Sequence, residues 1–183
     1  LEARTYLAES GRRWYEIWVH QSPADFRQRK IITPDISSQN RFALDDKTFF
    51  VNGTCFYIIL KDKSDDSYYS ILGLLNSKVM EYFHKTTSGN SLYAKRFRYW
   101  SSYLGSYPVA KRLFDSPKLS SALITNVSHL LQATANEERI RLEEENDRLC
   151  YKLFDLTDDD IQEIESTLSV HSSHAQVKGI SAK

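Results

Sequence analysis

The chain has 183 residues, 24 basic and 24 acidic side chains, two cysteines and 13% aromatic residues. That length suits one domain with a real core and a small appended element. Two cysteines make neither a disulfide framework nor a metal cage, so a reducing, cytoplasmic setting is expected, and no apolar run nears the ~20 residues that span a bilayer, so no membrane partner or signal peptide is expected.

The chain begins at Leu1, not Met, inside an amphipathic run, which reads as a fragment or processed product. Residues 1–9 read as the end of a helix stopped near Gly11. Trp14 and Trp18 lie four apart and share a face of a helix, the reading taken here, though a strand would also align them; core anchoring is their plain role. Ser22-Pro23 marks a break, and Pro23 to Phe26 a single turn.

Arg29 to Leu60 is the stretch that organises the chain: three short β-rich runs split by polar turns at Asp45-Asp46-Lys47 and Asn52-Gly53. Asn-Gly between β-formers signals a hairpin, because both residues tolerate the positive φ of a type I′ turn. Cys55 to Leu60 is apolar on both faces and reads as a covered strand. Pro34 cannot donate to a ladder, so Lys30 to Ile36 is an edge strand or a strand that ends there.

Lys61 to Asp66 is a polar connection, and Tyr68 to Leu72 starts as a strand and passes into a helix. Leu72, Leu75, Val79, Tyr82 and Phe83 recur at three and four residues, a helical stripe that lids the sheet. Asn76 and Ser77 are misfits within it and mark a restart or kink. A loop from Thr86 leads to a basic-aromatic interval. No acidic residue lies between Glu81 and Asp115, while Lys85, Lys95, Arg96, Arg98, Lys111 and Arg112 interleave with six aromatics from Tyr93 to Tyr107.

Ser116-Pro117 opens a long helix to Leu153, with Leu119, Leu123, Val127, Leu130 and Leu131 in its first half and dense charge in its second. Thr157 and Asp160 form a capping pair for a short helix carrying Ile161, Ile164 and Leu168. Beyond Ser169 the polar composition reads as disorder. The fold class is therefore α+β: a mixed or antiparallel sheet with packed helices, then a long C-terminal helix followed by a short one. Residues 1–116 form the β-rich core with its covering helix, 117–168 a helical element and 169–183 a tail.

No catalytic constellation emerges. The paired aspartates at 45–46 and 65–66 and the run 158–160 suit turns and caps; none has the alternating ligand loop of a calcium site. His171 and His174 lack two further zinc ligands nearby. The charge distribution is more informative: residues 1–120 hold 18 Lys or Arg against 12 acidic residues, and residues 121–183 hold 6 against 12. A body of +6 can meet a polyanion while a tail of −6 stays away from it or lies on it. The basic-aromatic interval leaves three readings open: a nucleic-acid surface, a solvated surface over a core, or a protein contact.

The order of several short motifs narrows these readings. Arg-Arg-Trp-Tyr-Glu at 12–16, Lys-Ile-Ile-Thr-Pro-Asp-Ile-Ser at 30–37, Asn-Arg-Phe-Ala at 40–43, Leu-Leu-Asn-Ser-Lys at 74–78, Arg98 to Pro108 and Tyr151 to Ile161 occur in succession. Together they resemble the C-terminal target-recognition domain of adenine-specific type II DNA methyltransferases, including fused nuclease–methyltransferases, over residues 10–168. Val109-Ala110 after Pro108 departs from the usual Pro-Ile-Pro ending.

The resemblance implies a recognition role on double-stranded DNA, opposite a methyltransferase domain lying upstream in the same polypeptide. That domain would bind S-adenosylmethionine, and a fused nuclease would use Mg2+. The sequence contains no Asn-Pro-Pro, so this stretch is expected to be non-catalytic. The implied DNA contacts are Lys30 and Arg41 in the β region, and Asn90, Tyr93, Lys95, Arg96 and Arg98 in the later loop and strand. Arg41 and Arg98 are expected at base edges, and Lys95 on phosphate. A different reading is a protein-interaction module that docks a partner through helix 117–153 without touching DNA.

Overall fold

The structure, a computed structural model, describes residues 5–11, 13, 22–47, 49–88, 92 and 95–176. Trp14, Trp18, Asn90 and Tyr93 lie outside them. Helix α1, Thr5–Glu9, ends where expected: Gly11 takes φ +72°, a left-handed conformation that favours glycine, and its N–H bonds back to Ala8. A four-residue turn of helix, α2 (Pro23–Phe26), follows.

Strands β1 (Arg29–Pro34), β2 (Ile36–Ser37), β3 (Ala43–Asp46) and β4 (Cys55–Ile58) come next. β1 is the centre of an antiparallel sheet ordered β3-β1-β4, not its edge, and it does end at Pro34. Placing β1 between β3 and β4 also explains why Asn52-Gly53 makes a turn and no hairpin. The 47–54 connection must cross two strand spacings, roughly 10 Å, which a two-residue reversal cannot do. Asp45 and Asp46 belong to β3 and not to a turn, because each finds a cation on β1.

The lid begins earlier than its apolar stripe suggests. Ser64 caps helix α3 (Asp65–Leu75) by accepting from the Ser67 N–H, and two aspartates occupy its positive end. Tyr68, wholly buried, bridges lid and sheet: its hydroxyl donates to the Arg29 carbonyl at 2.6 Å and accepts from the Leu60 N–H. The misfit at 76–77 is a restart, as expected. Asn76 closes α3 and Ser77 caps α4 (Lys78–Thr87). Strand β5 (Phe97–Arg98) then pairs antiparallel with β2, joining Ile36 to Arg98 and Ser37 to Phe97. Short helices α5 (Ser101–Leu104) and α6 (Arg112–Asp115) lead to the C-terminal part.

In place of one helix over 117–153 the chain forms two: α7 (Pro117–Gln132) and α8 (Asn136–Leu153), separated by extended backbone at Ala133 and Ala135. A straight helix would leave Leu142, Leu149 and Leu153 without cover. Folded back, they join Leu123 and Val127 inside the molecule, and Asn126 donates to the Leu142 carbonyl. Gly73 permits the close approach: a Cβ there would lie 2.8 Å from Val127 and 2.9 Å from Leu123 and Asn146. Of the apolar stripe expected to dock a partner, Leu123 and Val127 are buried within this chain's own core and Leu119 packs against it, while Leu130 is half-buried and Leu131 is 46% exposed. The final helix, α9 (Asp158–Gln176), starts with the expected Thr157–Asp160 pair and runs past Ser169.

Candidate nucleic-acid interface

Two elements present Arg41 and Arg98, the first resting on the α3–α4 junction and the second on α4. The first is the 38–42 loop. Asn76 treats Phe42 as a strand neighbour would: its Oδ1 accepts from the Phe42 N–H and its Nδ2 donates to the Phe42 carbonyl, both at 2.9 Å. Asn40 donates through Nδ2 to the Leu75 carbonyl at 2.7 Å, and its N–H bonds Glu81 at 3.2 Å. Between these clamps sits Arg41, exposed and without an ion pair to any described residue. The loop backbone is rigid; the side chain it presents is not held.

The second element is β5 with the residues after it. Phe97 and Tyr99 point into the core around His84, whose ring stacks on Tyr99 at 4.1 Å and meets Phe97, Tyr103 and Tyr107 edge-on. Burial pushes His84 down to about 4, so the imidazole is neutral at pH 7. The Tyr99 hydroxyl, raised by burial, donates to Asn40 Oδ1 at 2.9 Å and ties the two elements together. Arg98 alternates to the other face. There its Nη1 donates to Asp35 at 3.0 Å, and its guanidinium lies 5.2 Å from the Trp100 ring.

Of the residues expected at DNA, Lys30 is corrected. Its side chain is 0% exposed, paired with Asp45 and donating to the Phe26 carbonyl at 2.7 Å. The cation has been drawn inward because its strand partner is an acid and α2 caps the site, so it holds structure and offers nothing to a phosphate. Lys95 is half-buried in a left-handed turn at φ +52°, Arg96 is exposed, and a bond from the Leu92 N–H to the Arg96 carbonyl closes that loop. Asn90 and Tyr93 are outside the described residues. Asp35, Asn40, Asn76 and Trp100 are not among the residues expected at DNA. Asn76 left a signal as a poor helix former inside an apolar stripe, Trp100 as a member of the basic-aromatic interval, and Asp35 and Asn40 only as members of short motifs.

A cleft of about 820 Å³ opens between the 39–44 segment and the α7–α8 hairpin. Acids and bases mix along its walls: Arg41, Lys78 and Arg139 against Glu81, Glu143 and Asp147. Burial raises Asp147 to about 6, opposed by the Lys78 N–H that donates to it at 2.8 Å. Such a balanced wall does not concentrate a polyanion.

A family model described as the TaqI-like C-terminal specificity domain matches residues 3–109, a span that contains the 38–42 loop, Asp35, Arg98 and Trp100 and stops before α6. The type II methyltransferase M.BanIII of Aneurinibacillus aneurinilyticus is 35% identical over 147 residues, which cover 80% of this chain and 25% of that protein. The chain spans about a quarter of the length of this curated relative.

Proposed function

The chain belongs to the TaqI-like C-terminal specificity domain family, and we propose that it reads duplex DNA for an adenine-specific methyltransferase or a bifunctional restriction–modification enzyme. The observation that carries this reading is Arg98, its guanidinium held by Asp35 and lying over Trp100, on a strand tied through Tyr99 to the clamped loop that presents Arg41. Rigid presentation is what base reading requires, because an ordered donor loses less entropy on binding. The acceptors on a base edge are then met by geometry fixed in advance.

The catalytic work belongs to an upstream domain of the same polypeptide. That domain would bind S-adenosylmethionine and transfer its methyl group; this chain contributes recognition. Arg41, Arg96 and Lys95 supply charge to phosphates, and Arg98 reads a base. The asymmetry of +6 in residues 1–120 against −6 in residues 121–183 supports an orientation with the β-rich part toward DNA and α7–α9 away from it.

Titration of duplex DNA at about 50 and about 200 mM salt tests the reading. The polypeptide is expected to bind weakly at low salt and more weakly at high salt. Failure to bind at either concentration, with the protein folded, would count against a DNA role.

A further inference from the structure

Arg98 is supported on an edge and on a face. Asp35 accepts from Nη1, and the guanidinium lies over the Trp100 ring, which itself stacks within 4° of parallel on Tyr103 at 5.8 Å. Asp35 is held independently of its side chain. Its N–H donates to the Thr54 carbonyl and its carbonyl accepts from the Tyr99 N–H, both at 2.8 Å, so its backbone joins the two sheets. The second carboxylate oxygen, Oδ1, is buried without a hydrogen-bond partner among the described residues. A desolvated carboxylate in that position depends on its cation.

The pair is still open to a ligand. The Arg98 side chain is 33% exposed, Asp35 19% and Trp100 41%. A guanidinium carries five N–H donors in a planar fork, and the bond to Asp35 uses one. The neighbouring negative charge decides what the remaining donors suit. It cancels the net charge that a phosphate would seek, but it does not repel a neutral base edge. What is left is a directional donor array without net charge, matched to two acceptors side by side.

We infer that Asp35, Arg98 and Trp100 form a guanine-reading site, in which Arg98 donates to O6 and N7 in the major groove and Asp35 is a positioning residue that fixes the plane of the fork. The inference rests on the DNA reading above.

In the full-length protein, affinities for the preferred duplex and for each singly substituted duplex would be measured for Asp35→Ala, Arg98→Ala and the double variant. Each single variant is expected to lose about tenfold in discrimination, at the same base pair. The double variant should lose no more than Arg98→Ala alone, because Asp35 acts only through Arg98. Asp35→Ala should also bind non-preferred duplexes more tightly than the parent, since a negative charge has left the DNA-facing surface.

Losses that add in the double variant, or an Asp35→Ala that weakens all duplexes alike, overturn the site. Should Asp35→Ala fail to fold, Asp35→Asn keeps the side-chain shape and is read in its place, with the same base pair affected by a smaller factor. A parent protein with no sequence preference would overturn the DNA reading itself. A parent that discriminates while Asp35→Ala discriminates equally well would overturn only the site.

Discussion

Arg41 and Arg98 stand on elements tied together through Tyr99 and Asn40, yet the fold immobilises opposite halves of them. At Arg41 the backbone is fixed, by Asn76 on Phe42 and by Asn40 on Leu75, and no described acid holds the side chain. At Arg98 the side chain itself is fixed, between Asp35 and Trp100. An unheld guanidinium on a rigid base can follow a phosphate through small shifts of the duplex. A guanidinium locked in its plane meets only an acceptor pair at one place. On the proposed DNA reading, the difference suits Arg41 to charge and Arg98 to sequence.

Lys30 marks the outer limit of the comparison, a cation held so completely that it no longer faces a ligand. Lys30→Ala leaves Asp45 buried without its cation and is expected to cost about 3–5 kcal/mol of stability. Arg41→Ala should stay within about 0.5 kcal/mol. Denaturant unfolding of the two variants compares them directly, and equal losses would erase the division between structural and presented cations.

Two groups whose titration falls between pH 4 and 6.5 lie one beside each arginine. His84 underlies the Arg98 strand. Because its folded value, about 4, is below the ordinary 6.5, its contribution is present above pH 6.5 and is lost as the pH falls through about 4. Asp147 lines the cleft beside Arg41, and its folded value of about 6 lies above the ordinary 3.8. Its contribution has the opposite sign: full at low pH, and lost as the pH rises from about 4 through 6. The two oppose each other in the same window, each on the order of 3 kcal/mol. Thermal unfolding from pH 4 to 6.5 should therefore show little slope in the parent, a rise with pH in Asp147→Asn and a fall with pH in His84→Phe. A flat Asp147→Asn profile would mean that His84 is not held neutral under the strand.

Asn76→Ala tests whether the supports are separable. It leaves the Phe42 N–H and carbonyl without their partner, at a cost of about 2 kcal/mol. Amide exchange at Phe42 should accelerate while exchange at Tyr99, which bonds Asp35, stays slow. Equal acceleration at both would make loop and strand one unit.

Local devices in this chain were legible from sequence, and non-local ones were not. The Gly11 stop, the restart at Ser77 and the Thr157–Asp160 pair each involve residues within a few positions, and each formed as read. The central place of β1, the inward turn of Lys30 and the fold-back at Ala133–Ala135 depend on partners that arrive from elsewhere in the chain. No periodicity in the 30–37 segment announces that Asp45 will stand opposite Lys30. The ordered motifs pointed to the family all the same, and three residues that make long-range contacts, Asp35, Asn40 and Asn76, fall within them. Their roles became visible only when Asn40 and Asn76 were seen bonded to each other's segments.

The most direct test of the division of labour is a discrimination profile of Arg98→Ala and Arg41→Ala in the full-length protein, with binding measured on the preferred duplex and on every single base-pair substitution. Arg98→Ala is expected to lose about 1–3 kcal/mol of preference at one base pair. Arg41→Ala should weaken all duplexes alike and reduce the salt slope by roughly one unit, as Lys95→Ala should. A profile in which Arg41→Ala flattens one position while Arg98→Ala leaves every preference intact would contradict this division of labour.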